Sequence, residues 1–232
     1  FCEKPPCTKI KQLKLLEKIN SRKIYYNFNE RFSKLYEILK NRKKYNLGRL
    51  LHGTIIKGHA LGLKKNYRKN WRSKKKISKK GILEVVSIHF LDIINNIFEI
   101  KKIEYLKLNN HSIYGNSYDN ANIILTTKDN AILSIFNSWT SELVQKNIFI
   151  FKNGSIEKND NSIIVKGPAL NLDKNNFTRP PKVKAKFNLN LKNLNNNTLL
   201  KSVEYFLEIS SEKKNFKEKE TINSLTSNYF VV

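Results

Sequence analysis

From residue 101 to residue 165 the chain is a succession of short β-type runs separated by tight-turn signals, and this pattern constrains the fold most. The runs cover residues 103–108, 121–127, 131–139, 147–152, 155–157 and 163–165. Lys128-Asp129-Asn130 joins the second run to the third, and Asn153-Gly154 joins the fourth to the fifth. Asn-Gly suits the positive backbone angles that a two-residue hairpin requires, so it is a strong local hairpin signal. Residues 159–161 make a further turn, and residues 167–181 read as an excursion. Successive hairpins of this kind predict a large, mostly antiparallel sheet covered by helices on one face, an α+β architecture.

Helical spacing of apolar residues appears at 8–20, with Thr8 as the expected cap, and at 30–39 and 199–209. Residues 82–98 are apolar almost all round, which suits a buried helix. Residues 23–28 and 50–56 read as strands. The opening strand–helix–strand rhythm is that of a parallel α/β unit. Residues 1–28 are therefore expected to be the C-terminal remnant of a Rossmann α/β domain, 29–212 a second α+β domain, and 213–232 a polar tail with a short helix. The chain contains no Met, so residue 1 is not taken as the natural start and the chain is read as a fragment.

The net charge is +25, but only 7 of the 44 basic residues are Arg. Nucleic-acid readers favour Arg at base edges and interleave aromatics with basic groups, so nucleic acid is not the expected partner. Residues 64–80 differ, with ten basic residues and no acid; they read as a long loop whose charge attracts an anionic substrate. Cys2 and Cys7 are too few for a disulfide framework, and the nearest His is His52, so no metal site is expected. The longest apolar stretch, 82–97, carries Glu84, His89 and Asp92 and is no membrane span. These features describe a soluble protein of a reducing compartment, expected in the cytoplasm.

Several motifs in order resemble the glucose–fructose oxidoreductase, inositol dehydrogenase and MocA family of dinucleotide-dependent sugar dehydrogenases. Glu3-Lys4-Pro5 looks like that family's E-K-P motif. The stretch from Asn27 to Phe32 is similar to its passage from the last Rossmann strand to the next domain, and Leu47-Gly48-Arg49 to the turn before the first sheet strand. Asn70-Trp71-Arg72, Gly81-Ile82-Leu83 and His89 with Asp92 resemble its W-R, G-G-x-L and H-x-x-D series. Asp119-Asn120-Ala121 and Ser138-Trp139 resemble its D-x-A and S-W strands.

The resemblance implies hydride transfer between NAD or NADP and a hydroxyl-bearing carbon of a sugar or anionic sugar derivative. It implies Lys4 and His89 as catalytic residues, and Glu3, Lys4 and Pro5 at the cofactor. Arg31, Trp71, Arg72 and Asp92 would bind substrate, with Asp92 one helical turn from His89 to orient its ring. Lys74 and Lys75 are further candidates to hold an anionic group. A homo-oligomer through the open sheet face is also implied, for which the alternation at Ile123, Leu125 and at Ile132, Ser134, Phe136 is suitable.

The sequence departs from the pattern in three places, one of them the doubled Gly before the helix, here Gly81 alone after Lys80. No G-x-G-x-x-G occurs in these 232 residues, so the main dinucleotide-binding half is missing from them. The family's acid four residues before the His is Val85 here; Glu84, one residue earlier, lies roughly 140° from His89 on an ideal helix. Two other classes remain open: a catalytically impaired member with a structural role in assembly, and a polyanion-binding module using residues 64–80.

Overall fold

The computed structural model describes residues 1–19, 21–189 and 194–232. Its centre is a sheet of eight strands: β1 (Leu50–Gly58), β2 (Ile100–Asn109), β3 (Asn120–Thr127), β4 (Ile132–Ser138), β5 (Val144–Phe151), β6 (Gly154–Lys158), β7 (Ser162–Lys166) and β8 (Val183–Asn188). They lie in the order β2-β3-β4-β1-β5-β6-β7-β8. Only β1 and β4 run parallel, with Ile55 opposite Ile135; every other pairing is antiparallel. The predicted hairpins form at their predicted turns. Gly154 sits at φ +145°, where an added Cβ would come within 2.1 Å of the Lys166 carbonyl oxygen, so the turn and the β6–β7 contact both require glycine.

The period of two puts Ile55, Ile123, Leu125, Leu133, Ile135, Phe149, Phe151, Ile156 and Val165 on one face. That face is covered by α3 (Ile88–Phe98), whose Ile88, Leu91 and Ile94 are fully buried against it. The other face, with Ile124, Ile132, Ile148 and Ile150, stays half open. Ile123 and Leu125 therefore point into the core, while Ile132, Ser134 and Phe136 belong to the open face; the two sets do not share one surface.

Several local expectations are corrected. The first helix, α1 (Ile10–Leu16), begins after Lys9, and Thr8 is not its cap. Asn20, the expected end of that helix, lies outside the described residues. Residues 23–28 form no continuous strand: a single parallel bridge joins Cys2 to Tyr26, which keeps the α/β handover in minimal form. The stretch 30–39 is interrupted at Ser33, whose hydroxyl accepts from the Tyr36 amide at 3.2 Å and starts α2 (Lys34–Lys40). The basic stretch is not featureless, since 3-10 turns span Lys65–Lys69 and Trp71–Ser73. Strand β8 goes unnoticed in the sequence because its lysines alternate with Val183, Ala185 and Phe187. Lysines on an edge strand also discourage pairing with another sheet.

The C-terminal segment carries the expected helix, but the helix packs on the core instead of trailing as a tail. After α4 (Leu194–Ser211) comes α5 (Glu218–Tyr229), which packs on α3 and α1 and buries Leu225, Ser224 and Asn228, followed by buried Val231. Its core-facing side is mostly small and polar, so hydrophobic spacing does not reveal it.

Candidate active site

The entry to α3 shapes the site. Gly81 adopts φ +54°, and a Cβ there would fall 1.9 Å from the Tyr118 carbonyl oxygen. That oxygen instead accepts from the Ile82 amide at 2.9 Å, pinning the start of the helix to the segment just before β3. The chain then makes a π-turn over Leu83–Ser87 before the regular turns of α3 begin. Such a turn carries one residue more than an α-turn and re-aims the side chains on it.

As a result Glu84, expected to face away, is buried and lines a cavity together with Lys4. Its Oε1 accepts from the Ser78 hydroxyl at 2.7 Å. Ideal-helix geometry does not apply through this turn: Glu84 and Val85 both line this cavity, while His89 lines neither it nor its neighbour.

Lys4 follows the Cys2–Tyr26 bridge, and its ammonium donates to the carbonyl of Val85. Burial pulls its pKa down to about 8, against the opposing attraction of Glu3 and of Glu84. Glu3 itself accepts from the Asn27 side chain at 2.8 Å. With Pro5, Trp71, Arg72 and Glu84 these residues enclose a cavity of about 280 Å³. Arg72 lies over the Trp71 ring, 4.5 Å from its centroid, and its amide is fixed by the Asn70 side chain at 3.0 Å.

Arg72 and Val85 also line an adjoining cavity of about 340 Å³ with Lys57, His59, Asn70, Ser138 and Trp139. Asn70 stands beside the quoted Trp71-Arg72 pair, whereas Lys57 and His59 carry no sequence motif that singles them out. One signal does exist for Lys57: in β1 it follows Gly53 and Ile55 on the apolar period, an inward-facing lysine.

His89 packs edge-on to Phe28, ring centroids 6.2 Å apart. Its Nδ1 is buried and has no hydrogen-bond partner among the described residues. Burial holds its pKa well below the usual histidine value, with the charges of Lys4, Lys57 and Arg31 acting in the same direction. The imidazole is therefore neutral at neutral pH, and the surrounding cations oppose its protonation.

Arg31 and Asp92 are not placed as expected. They form a buried bidentate ion pair, Nη2 to Oδ1 at 2.6 Å and Nε to Oδ2 at 2.7 Å. Arg31 also donates to the Ser224 hydroxyl at 2.8 Å and the Glu220 carbonyl at 3.1 Å, and Asp92 accepts from Ser227 at 3.2 Å. Both side chains are used in locking α5 to the core, and neither is free to bind substrate. Asp92 does not hold the His89 ring: its oxygens accept from Arg31, Asn96 and Ser227, and no hydrogen bond joins it to His89 among the described residues. Lys75 lies over Tyr118 instead of in the cavities.

Residues 38–157 match the family described as the GFO/IDH/MocA C-terminal domain. Among solved structures, levoglucosan dehydrogenase in complex with NADH superposes with TM-score 0.79 at 13% identity, over 99% of this chain and 68% of that one. An oxidoreductase from Agrobacterium radiobacter in complex with NAD+, L-tartaric acid and magnesium gives 0.74 at 14% identity, over 99% and 69%. A myo-inositol dehydrogenase from Corynebacterium glutamicum gives 0.67 at 18% identity, over 99% and 68%. At such identities the likeness is one of fold. Comparison with curated protein sequences gives no match.

Proposed function

The chain belongs to the GFO/IDH/MocA family through its C-terminal domain, and from that premise we propose that it is the substrate-side part of an NAD(P)-dependent oxidoreductase acting on a hydroxyl of a sugar or anionic sugar derivative. The observation that carries this reading is the meeting of the Lys4 ammonium with the carbonyl of Val85, one turn ahead of a neutral His89, beside cavities of sugar size. Solved structures of similar fold are described with levoglucosan, L-sorbose or L-tartaric acid bound, all polyhydroxy compounds, which supports the substrate class. On this reading residues 1–28 close a dinucleotide-binding unit and the sheet domain holds the substrate.

The Lys4 cavity is ring-sized, so Glu3, Lys4 and Pro5 fit the nicotinamide–ribose end of a dinucleotide and not its pyrophosphate. When bound, the oxidised cofactor supplies the hydride acceptor. The protein's own part is proton and charge management. As the carbinol carbon gives up hydride, its hydroxyl proton must leave, and His89 is the neutral base to take it. The Lys4 ammonium stabilises the negative charge that develops on that oxygen, in a site where little water screens it. Trp71 offers an aromatic face and Arg72 a planar cation at the cavity rim. Glu84 balances the positive field around Lys4, so Val85 is no sign of lost chemistry.

The half-open sheet face is proposed as a contact between copies of the chain. Its Ile124, Ile132, Ile148 and Ile150 form an apolar surface around a shallow depression of about 420 Å³ beside Thr54 and Ser134.

The test is binding followed at the two catalytic side chains. A panel of sugars and sugar acids is titrated into the chain while NMR signals of Lys4 and His89 are observed. Saturable shifts at both, lost in Lys4→Met and His89→Gln, are expected. No saturable shift at either group would overturn the proposal.

A further inference from the structure

The covered face of the sheet is apolar except at one end. There Asn137 on β4, Lys57 on β1, Asn147 on β5 and Lys158 on β6 all point inward, beyond Ile135, Ile55, Phe149 and Ile156. Register makes them neighbours. Asn137 lies opposite Lys57, and Asn147 lies opposite both Lys158 and Ile55, the latter two residues from Lys57 on the same face. Glu30 reaches the row from the turn before α2, its Oε1 3.8 Å from the Lys57 ammonium, and the Phe90 ring centroid lies 5.6 Å from that ammonium.

These groups are poorly satisfied by the protein. Asn147 is 0% exposed, and neither atom of its amide has a hydrogen-bond partner among the described residues. Asn137 Oδ1 is in the same condition, although its Nδ2 donates to the Phe136 carbonyl at 3.0 Å. Lys158 is 7% exposed and forms no ion pair among the described residues. Burial depresses its pKa to about 8, with Glu30 opposing that effect. An unmet buried amide costs about 1–3 kcal/mol, and folded proteins keep few of them. Of the row only Lys57 lines a cavity; Asn137, Asn147 and Lys158 are buried directly behind it, and buried polar groups left unmet beside a cavity mark a place that a ligand completes.

The chemistry of the row defines that ligand. Two ammonium groups and an amide N–H are donors, which selects an oxyanion. Lys57 and Lys158 carry two positive charges, opposed by Glu30 and, at Lys158, also by Asp160. So small an excess of positive charge suits a singly charged carboxylate and falls short of what a phosphate dianion needs. Lys57 also lines the cavity shared with Arg72, and its charge acts on both His89 and Lys4, so the row and the reacting end are continuous.

We propose that Lys57, Lys158 and Asn147 hold the carboxylate of a sugar-acid substrate, while its reacting hydroxyl lies against Lys4 and His89. This rests on the dehydrogenase reading above and specifies its substrate. The Asn137 carbonyl oxygen then accepts from a hydroxyl of the bound sugar. Binding also places a negative charge near His89, easing the proton uptake that the surrounding cations oppose.

The experiment titrates D-glucuronate, D-glucose and D-glucose 6-phosphate into the lysine- and histidine-labelled chain, reading Lys158, Lys4 and His89 by NMR. Glucuronate is expected to bind at least tenfold more tightly than glucose or the phosphate ester, with shifts at all three residues. Lys158→Met should abolish that preference and leave glucose binding intact; Asn147→Leu is the second variant, with a smaller loss of preference.

Equal affinities for glucose and glucuronate with shifts at His89 would sink the carboxylate site and leave the dehydrogenase reading standing. So would preference for the phosphate ester, or an unchanged preference in Lys158→Met. Glucuronate shifts at Lys158 with none at Lys4 or His89 would keep the carboxylate site and remove the dehydrogenase reading. Absence of binding by all three sugars would remove both, leaving ordered water as the occupant of the row.

Discussion

Breaking the Arg31–Asp92 pair by Asp92→Asn decides whether these residues belong to the substrate or to the scaffold. The substitution keeps the shape and removes the charge, stranding the Arg31 guanidinium in the interior, where its partners would be only Ser224, the Glu220 carbonyl and a neutral amide. Removing one member of a buried pair costs about 3–5 kcal/mol, because the remaining ion keeps its desolvation penalty without its counter-charge. For a domain of this size each kcal/mol moves the melting temperature by about 2–4 °C, so a fall of about 6–20 °C is expected. The loss should begin at α5, since Ser224, Ser227 and Glu220 all lie on it.

Circular dichroism melts give the global value, and hydrogen exchange reports whether amides of 218–229 lose protection first. The double variant Arg31→Met/Asp92→Leu removes both charges and should recover most of the loss, since apolar replacement of a buried pair is often neutral or stabilising. A melting temperature for Asp92→Asn within about 2 °C of the parent, equivalent to less than about 1 kcal/mol, would refute the structural role assigned to the pair.

Three further outcomes are expected. His89 has a folded-state pKa below that of the unfolded chain, so the unfolded state takes up its proton first: stability is full above about pH 6.5 and declines as the pH falls below it, by at most about 1.4 kcal/mol per pH unit from this group. Urea midpoints from pH 7 to 5 should therefore fall less in His89→Gln than in the parent, and parallel curves would contradict the assignment. Lys158→Met removes an ammonium whose pKa is lowered to about 8. It should stabilise the protein at pH 7 by up to about 3 kcal/mol, a gain that shrinks as pH rises from about 8 towards 10.5; equal denaturation midpoints at pH 7 would refute it. Gly81→Ala must hold an L side chain at φ +54° against the Tyr118 carbonyl oxygen. A loss of at least about 1–2 kcal/mol is expected from the backbone conformation alone, measured by chemical denaturation.

The sequence alone determined most strands of the sheet, though not β8 or the strand order. Alternation and hairpin turns are local, so residues 121–127, 131–139 and the Asn153-Gly154 turn declare strands without knowledge of their neighbours. It also singled out Lys4, Trp71 and Arg72 by short ordered motifs, and the fold brings the three to one cavity. Tertiary structure decided what depends on register and on neighbours distant along the chain. A π-turn of one extra residue turned Glu84 into the cavity, which no count at 100° per residue foresees. Arg31 and Asp92, ordinary candidates for substrate contact, were claimed by a helix whose buried face is made of Ser224, Ser227 and Asn228 and therefore lacks an apolar stripe. The inward row of Lys57, Asn137, Asn147 and Lys158 arises because four strands, separated by up to about a hundred residues, are aligned by backbone hydrogen bonds. Spacing along a chain records the local period; only the folded register decides which charges share one small volume.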